Sequence, residues 1–376
     1  VQPILSTRFK PAAKPQEAAS SPRSKRNKQI FAVGRRQGVN NNIMKDKILL
    51  GHGSGGKLMN DLINGLIKDK FGPCSLQLDD SAILPIGNVE IAFTTDTFTI
   101  TPIFFPGGDI GELAINGTVN DLAVMGAKPL YISSGFILEE GFPISDLERV
   151  MDSMRSAAEY AGVQIVTGDT KVVEKGKADK IFINTSGVGI LQTPVQRRDI
   201  EVGDLIIING TIGDHGISVM AKRNNLSFSN ELLSDCASLN HLIAAVIKKA
   251  PGAVKFMRDA TRGGVASVLN ELVHKKPFSA KLLEKKLPIK NEVTGVCDIL
   301  GIDPLYAANE GKVLMLVKKE DAAKVIEVMM ATKEGREAAI IGEISEEYPG
   351  KVFVKTGIGG KRMLSLLLEE QLPRIC

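Results

Sequence analysis

The sequence has no run of about 18 consecutive apolar residues, so no segment of it is expected to cross a membrane as a helix. Cysteine is scarce. Cys74, Cys236, Cys297 and Cys376 are scattered without a C-x-x-C, which argues against a disulfide framework and for reduced thiols in a cytoplasmic protein. Histidine is equally thin, and His52, His215, His241 and His274 are too dispersed for a zinc site. Basic charge is missing from the body of the chain. Nine Lys or Arg residues against the single acid Glu17 give residues 1–43 a charge of +8, which leaves −4 for the rest of a chain whose formal total is +4. A mildly acidic body lacks the basic face of a nucleic-acid binder, so neither DNA nor RNA is the expected partner.

What is present is globular composition, 43% apolar and 24% charged, over 376 residues, a length that predicts two domains. Residues 1–43 are rich in Ser, Pro, Asn and Arg, lack periodicity and are expected to be disordered. They read as an added tag or start-site extension in preference to a transit-like segment, since Met44 immediately precedes the first regular element. From there short β-branched runs alternate with helical periods, the pattern of an α/β or α+β protein. Strands are expected at Lys45–Leu50, Val89–Thr95, the buried run Val163–Thr167, Ile181–Ile190 and Leu205–Asn209. A first helix should follow the Gly53–Gly56 turn to near Phe71, and a second should run from the cap Asp109 through Met125. Ser145 and Glu148 have capping-box spacing for a helix ending at Gly162, and further helices are expected near Ser229–Ala250 and Thr261–His274. The chain then divides into an N-terminal domain (44–196), a C-terminal α/β domain (197–349) and a tail (350–376) hinged at Gly359-Gly360.

Gly51-His52-Gly53-Ser54-Gly55-Gly56-Lys57-Leu58 is one residue from a P-loop. Leu58 stands where magnesium needs a Ser or Thr hydroxyl, so the P-loop itself is excluded, while phosphate contact by backbone N–H groups at a helix start is retained. His52 reads equally as a proton-transfer group or a plain loop residue. Carboxylates carry the stronger signal. Asp79 and Asp80 sit in a turn, Asp96 at a strand end, Asn120 and Asp121 on an otherwise apolar helix, and Asp169 at another strand end. Oxygen ligands without His or Cys suit magnesium shared with phosphates. A single such Asp reads more readily as a cap or turn residue, but several at element ends shift that balance. Lys171 projects to the same face as Asp169, either to neutralise a phosphate or to form a surface salt bridge. Arg258-Asp259-Ala260-Thr261-Arg262-Gly263-Gly264 is another charged helix start, and Asn309-Glu310-Gly311 a polar turn before an apolar run.

Several of these segments together resemble one family, in order, from about Ile48 to Cys376. They are His52–Gly56, Phe104–Gly108, Asn120–Ala123, Gly135–Gly141, Val166–Val173, Gly213-Asp214-His215-Gly216, Arg258–Gly264, Ala308–Lys312 and the specific Leu372-Pro373-Arg374-Ile375-Cys376. The family is HypE, the carbamoyl dehydratases of nickel–iron hydrogenase maturation. The resemblance implies the two-domain aminoimidazole ribonucleotide synthetase-like (PurM-like) fold, with a flexible C-terminal tail. It implies a first-domain sheet that pairs with a second copy as a homodimer, and ATP with magnesium (Mg2+) in the cleft between domains. By the same resemblance Asp80, Asp96 and Asp121 hold the metal, joined around ATP by Asp79, Asn120, Asp169, Asp259 and Arg262. Cys376, Lys171, Glu310 and His52 are then catalytic, with Glu310 or His52 as the base.

The resemblance further implies that HypF places a carbamoyl group on Cys376, that this is dehydrated to a thiocyanate with ATP consumed, and that the cyanide passes to iron held by HypC and HypD. Two other readings stay open. A small-metabolite kinase or synthetase of the same superfamily would have no use for Cys376, and a passive carrier would not hydrolyse ATP. Finding the tail and the acidic set in one chain favours the dehydratase. Arg374 favours the Cys376 thiolate while the adjacent carboxylate opposes it, so reactivity must come from where the tail docks.

Overall fold

The computed structural model describes residues 47–53, 56–67, 70, 79–195, 199–226, 231–367, 372 and 374–376. Residues 1–43, Lys45, Ser54, Gly55, Phe71 and Cys74 lie outside the described residues, and the expectations for them with them. A 3-10 turn at Leu50–Gly53 replaces the end of the expected first strand, and α1 (Lys57–Leu62) follows, continued by a π turn over Ile63–Ile67.

The first sheet is built from β1 (Ala82–Ile86), β2 (Val89–Phe98), β5 (Ala127–Glu139), β6 (Gln164–Val173) and β7 (Ile181–Leu191), after a small hairpin β3 (Phe104–Phe105) and β4 (Gly108–Asp109). Its order is β1-β2-β7-β5-β6, antiparallel except for β5 with β6. Two helices belong to it, α2 (Ile110–Val124) and α3 (Ile144–Ala161). Asp109 caps α2 as expected, accepting from Gly111 N (2.8 Å) and Glu112 N (3.1 Å), and Gly126 turns the chain out with φ +81°. α2 is apolar on almost every side because it lies between the sheet and the rest of the protein. Gly187 lets it approach. A Cβ there would stand 2.5 Å from Thr118 Cγ2 and 2.9 Å from Leu122 Cδ1.

The opposite face of this sheet is uncovered. Leu84, Phe93, Tyr131, Ile137 and Ile190 are each between 41% and 47% exposed, which leaves a broad apolar surface with no cover among the described residues.

The second sheet takes its strands from β8 (Leu205–Ile208), β9 (Val254–Asp259), β10 (Ser279–Leu283), β11 (Val313–Val317), β12 (Ala339–Ser345), β13 (Val352–Lys355) and β14 (Lys361–Leu364). Their order is β14-β13-β10-β12-β8-β11-β9. The helices between them are α4 (Asp214–Arg223), α5 (Asn240–Lys249), α6 (Gly264–Val273), α7 (Asn291–Leu300) and α8 (Ala322–Met330). Val313–Val317 is buried at every position, the mark of a central strand covered on both faces. The two halves share one apolar cluster, in which Phe98, Ile110 and Ile115 join Ile217, Val293 and Ile375.

Several expectations shift. Val163–Thr167 is not a buried strand, since β6 pairs only with β5 at the sheet edge and is exposed almost throughout. α3 starts at Ile144 behind Pro143, and no side chain caps it, so the Ser145–Glu148 box is not used. Residues 231–239 are not helical, because their polar groups are committed elsewhere: Ser234 N donates to Pro106 O (2.8 Å) and Leu239 N to Asn120 Oδ1 (2.8 Å). α6 begins at Gly264 rather than Thr261, after Gly263 and Gly264 take φ of +72° and +59°. β13 and β14 complete the second sheet, and Gly359-Gly360 turns the hairpin between them instead of serving as a hinge.

Gly187→Ala is expected to lower stability by about 1–3 kcal/mol through overpacking against Thr118 and Leu122. Gly135→Ala, whose added Cβ would meet nothing nearer than Asn184 O at 3.8 Å, should change it by less than about 0.5 kcal/mol. Denaturant unfolding of the two variants measures the difference.

Candidate active site

Three carboxylates from separate parts of the chain converge. Asp80 lies in the bend before β1, Asp121 near the end of α2 and Asp259 at the end of β9, with one oxygen of each within 4.8 Å of the others. The expected metal set was Asp80, Asp96 and Asp121. Asp259 takes the place of Asp96 in the tight triplet, because β9 ends at the cleft while Asp96 is fixed inside β2, opposite Thr185. Asp96 still faces this side of the sheet, its Oδ2 pointing toward α2 at Gly117.

The triplet is held by neighbours. Thr94 Oγ1 donates to Asp121 Oδ2 (2.7 Å), Ser81 Oγ donates to the Asp121 carbonyl (3.0 Å), and Arg258 Nε pairs with Asp80 Oδ1 at 2.9 Å. Arg258 is itself held by Glu271, 2.5 Å from Nη1, and feels the charge of Asp79. None of Thr94, Ser81 or Glu271 carries a sequence signal of its own, since each acts only through a carboxylate or guanidinium brought near by folding.

Burial and neighbouring carboxylates raise two of these acids. Asp121 lies well above the usual carboxylate range through burial and then Asp96, Asp259 and Asp80, and Asp259 is pushed up to about 8 by burial and Asp80. Asp96 is raised by burial, with Arg262 working against it. Glu310 is also well above its ordinary value, from burial, Asp259, Asp235 and Asp96, and its Oε1 is buried with no partner among the described residues. An all-oxygen set in which Asp80 raises both Asp121 and Asp259 fits a hard divalent cation such as magnesium, which neutralises the set and leaves room for phosphate oxygens.

Other expected residues fall into place unevenly. Arg262 Nη1 donates to Gly53 O (3.2 Å), which ties the glycine loop to the cleft. His52, next in that loop, accepts from Leu49 N through Nδ1 (3.0 Å) and serves the turn. Asn120, expected beside ATP, uses its amide to hold Ala237 O (3.0 Å), Glu310 O (3.3 Å) and Leu239 N (2.8 Å), and so fixes the backbone around Glu310. Asp169 and Lys171 are not part of this cluster. They pair with each other at 2.6 Å, exposed, on β6. Register runs from Asp96 through Thr185 and Ser134 to Gly168, so β6 lies three strands away, about 14 Å, and Asp169 and Lys171 alternate onto the uncovered face.

The segment carrying Cys376 is seated rather than loose. The main-chain oxygen of Cys376 accepts from Thr99 N (3.2 Å), Ile375 is buried, and His215 Nε2 lies 2.9 Å from the Ile375 carbonyl. His215 stood in the sequence among the dispersed histidines and in Gly213-Asp214-His215-Gly216, with no role attached.

Magnesium added to the cation-free protein at pH 7 is expected to release protons, because Asp259, near 8, then holds one. Apparent affinity should therefore climb as pH rises toward 8. Calorimetry in two buffers of different ionisation enthalpy reads the release, which Asp259→Asn should diminish; no release from the unaltered chain would contradict the geometry.

The AIR synthase related protein family matches the chain twice, its N-terminal domain over residues 78–191 and its C-terminal domain over 201–355. Carbamoyl dehydratase HypE of Rhodobacter capsulatus is 45% identical over 337 residues, 88% of this chain and 98% of that protein. The crystal structure of a HypE-HypF complex superposes with TM-score 0.76 at 46% identity, covering 81% of this chain and 99% of that one. HypE in complex with ATP gives 0.73 at 43% identity, covering 88% and 100%. The acidic cleft and seated tail are thus those of a chain that belongs to the HypE family, on the two-domain AIR synthase-related fold.

Proposed function

We propose that this chain dehydrates a carbamoyl group on its own Cys376 to a thiocyanate, with ATP and magnesium, and so supplies cyanide for the iron centre of nickel–iron hydrogenase. The observation that carries the proposal is the seating of Cys376 against Thr99, three residues along the chain from Asp96 and so about 10 Å of extended backbone from it. A relative supports one partner: HypF, which appears in complex with a HypE, is the carbamoyl donor in this reading. The cyanide acceptor in the same reading is a HypC–HypD complex. The setting is the cytoplasm.

A carbamoyl oxygen does not leave as hydroxide at neutral pH. Its attack on the γ-phosphorus of ATP breaks the bond to ADP and, with loss of one N–H proton, leaves a C=N bond and an O-phosphoryl group. Departure of phosphate with the second N–H proton completes the nitrile. Bound at Asp80, Asp121 and Asp259, magnesium would supply the positive charge that phosphoryl transfer needs. Arg262, whose charge bears on Asp96 and Glu310, lines the same cleft. Glu310 is the base. Apart from burial, Asp259 is the largest influence raising it, so neutralising the triplet lets Glu310 give up its proton and accept one from the substrate.

The uncovered sheet face takes a second copy, giving a homodimer. Leu84, Phe93, Tyr131, Ile137 and Ile190 form its apolar ground, and Lys171 and Asp169 act from that interface.

After incubation with HypF, carbamoyl phosphate and ATP, the peptide containing Cys376 should gain a carbamoyl group and then lose one water, as read by mass spectrometry. Cys376→Ala should show neither change. Glu310→Gln should accept the carbamoyl group but lose water about 10²–10⁴ times more slowly. An unmodified Cys376 with active HypF would refute the proposal.

A further inference from the structure

The last residues pair with the chain beyond β2 much as an added strand would. Thr99 N donates to the main-chain oxygen of Cys376 (3.2 Å) and Thr101 N to the Arg374 carbonyl (3.3 Å). Charged contacts reinforce the pairing. Arg374 Nε donates to Thr99 O (2.9 Å), and its Nη1 meets Asp179 Oδ2 at 2.8 Å. Thr101 Oγ1 donates to the same Asp179 oxygen (3.1 Å).

A second grip comes from the other domain. Arg223, the last residue of α4, donates to Thr101 O through Nε (2.9 Å) and Nη2 (2.5 Å), and Nη2 also reaches the Arg374 carbonyl (2.8 Å). His215, on the same helix, can contact the Ile375 carbonyl only through an N–H, so its Nε2 carries the proton and Nδ1 accepts from Ser234 Oγ at 2.8 Å. The groove is shaped to this segment. At Gly216 a Cβ would stand 3.0 Å from Leu372 Cδ1 and 3.0 Å from Ala308 N, and Leu372 and Ile375 are both buried. Arg374 has φ +55°, a conformation that an L residue keeps only where its surroundings hold it.

We propose that Asp179 and Arg223 are positioning residues that latch the tail through Arg374, with His215 closing the latch at Ile375, so that Cys376 is presented beside the end of β2. Arg374 is then the residue by which the chain recognises its own tail, through its side chain to Asp179 and its carbonyl to Arg223. Because the grips come from both domains, the seat exists only when the two are packed together. The inference rests on the reading of Cys376 as carrier of the reacting group. The latch governs where the thiol sits and leaves the proton chemistry to the cleft.

The test is the rate at which N-ethylmaleimide alkylates Cys376 in the full chain, followed by mass spectrometry on the peptide that contains it. Asp179→Asn and Arg223→Met should each speed alkylation about tenfold or more, as loss of a charged hydrogen bond from a docked segment requires. Asp179→Glu should return the rate toward that of the unaltered chain, a rescue that general loosening would not show. In single turnovers from carbamoylated Cys376 at saturating ATP, Asp179→Asn and Arg223→Met should slow water loss by a similar factor. Thermal unfolding identifies any variant that does not fold, and Arg374→Ala, altered only in the tail, must then show the same acceleration. An unchanged alkylation rate in folded variants overturns the latch. If alkylation follows this pattern but even the unaltered chain loses no water, the latch stands and the dehydratase reading falls.

Discussion

At an effective dielectric of about 20, two unit charges 4.8 Å apart repel by about 3 kcal/mol. Asp80, Asp121 and Asp259 form three such pairs, so full ionisation without a counter-charge would cost about 10 kcal/mol, comparable with the whole stability of a domain. Two of the acids belong to the first half of the chain and one to the second. The raised Asp259 relieves part of that repulsion while it keeps its proton, and where the acids ionise without a cation the repulsion presses the halves apart. What opposes it is visible: the Arg258–Asp80 pair across the cleft, the Asn120 amide clamped on the backbone of Ala237, Leu239 and Glu310, and the apolar cluster common to both halves. A cation bound at the triplet would favour this packing of the two halves.

The tail draws on the same arrangement. Ile375 belongs to the shared apolar cluster, and its carbonyl is held by His215 from the second half while Cys376 lies against Thr99 of the first. One segment connects the two features. His215 bonds Ser234, and the next residue, Asp235, accepts from Glu310 N (3.1 Å) and pairs with Lys312 at 2.8 Å. Burial alone would raise Asp235, but Lys312 overrides it and keeps the carboxyl low, so this buried pair is ionised and rigid. The backbone of Glu310 and the tail are thus fixed to adjacent residues of one strap.

Much of this was legible in the sequence, and the exceptions have physical causes. Strand and helix patterns placed α2 with its Asp109 cap, because caps and apolar periodicity are local. They misjudged Val163–Thr167, since an apolar run reads the same whether its sheet face is covered or waiting for a partner. Residues 231–239 read as helix because their hydrogen bonds run to Pro106 and Asn120, far away in the chain. Asp80, Asp121 and Asp259 were all visible as acids at element ends, but which three meet depends on the packing of β9 against α2. Lys171 and Asp169 lie on the opposite face of the sheet from Asp96, a consequence of strand alternation through three registers that spacing along one strand does not reveal.

The central proposal is a cation held by Asp80, Asp121 and Asp259 between the two halves. Anomalous scattering from crystals grown with manganese and a non-hydrolysable ATP analogue tests it most directly. The account predicts a manganese peak within bonding distance of carboxylate oxygens of all three residues, lost in Asp259→Asn crystals. A peak bound by Asp96 and Asp121 with Asp259 turned away, or no peak in this cleft while nucleotide is bound, would contradict it.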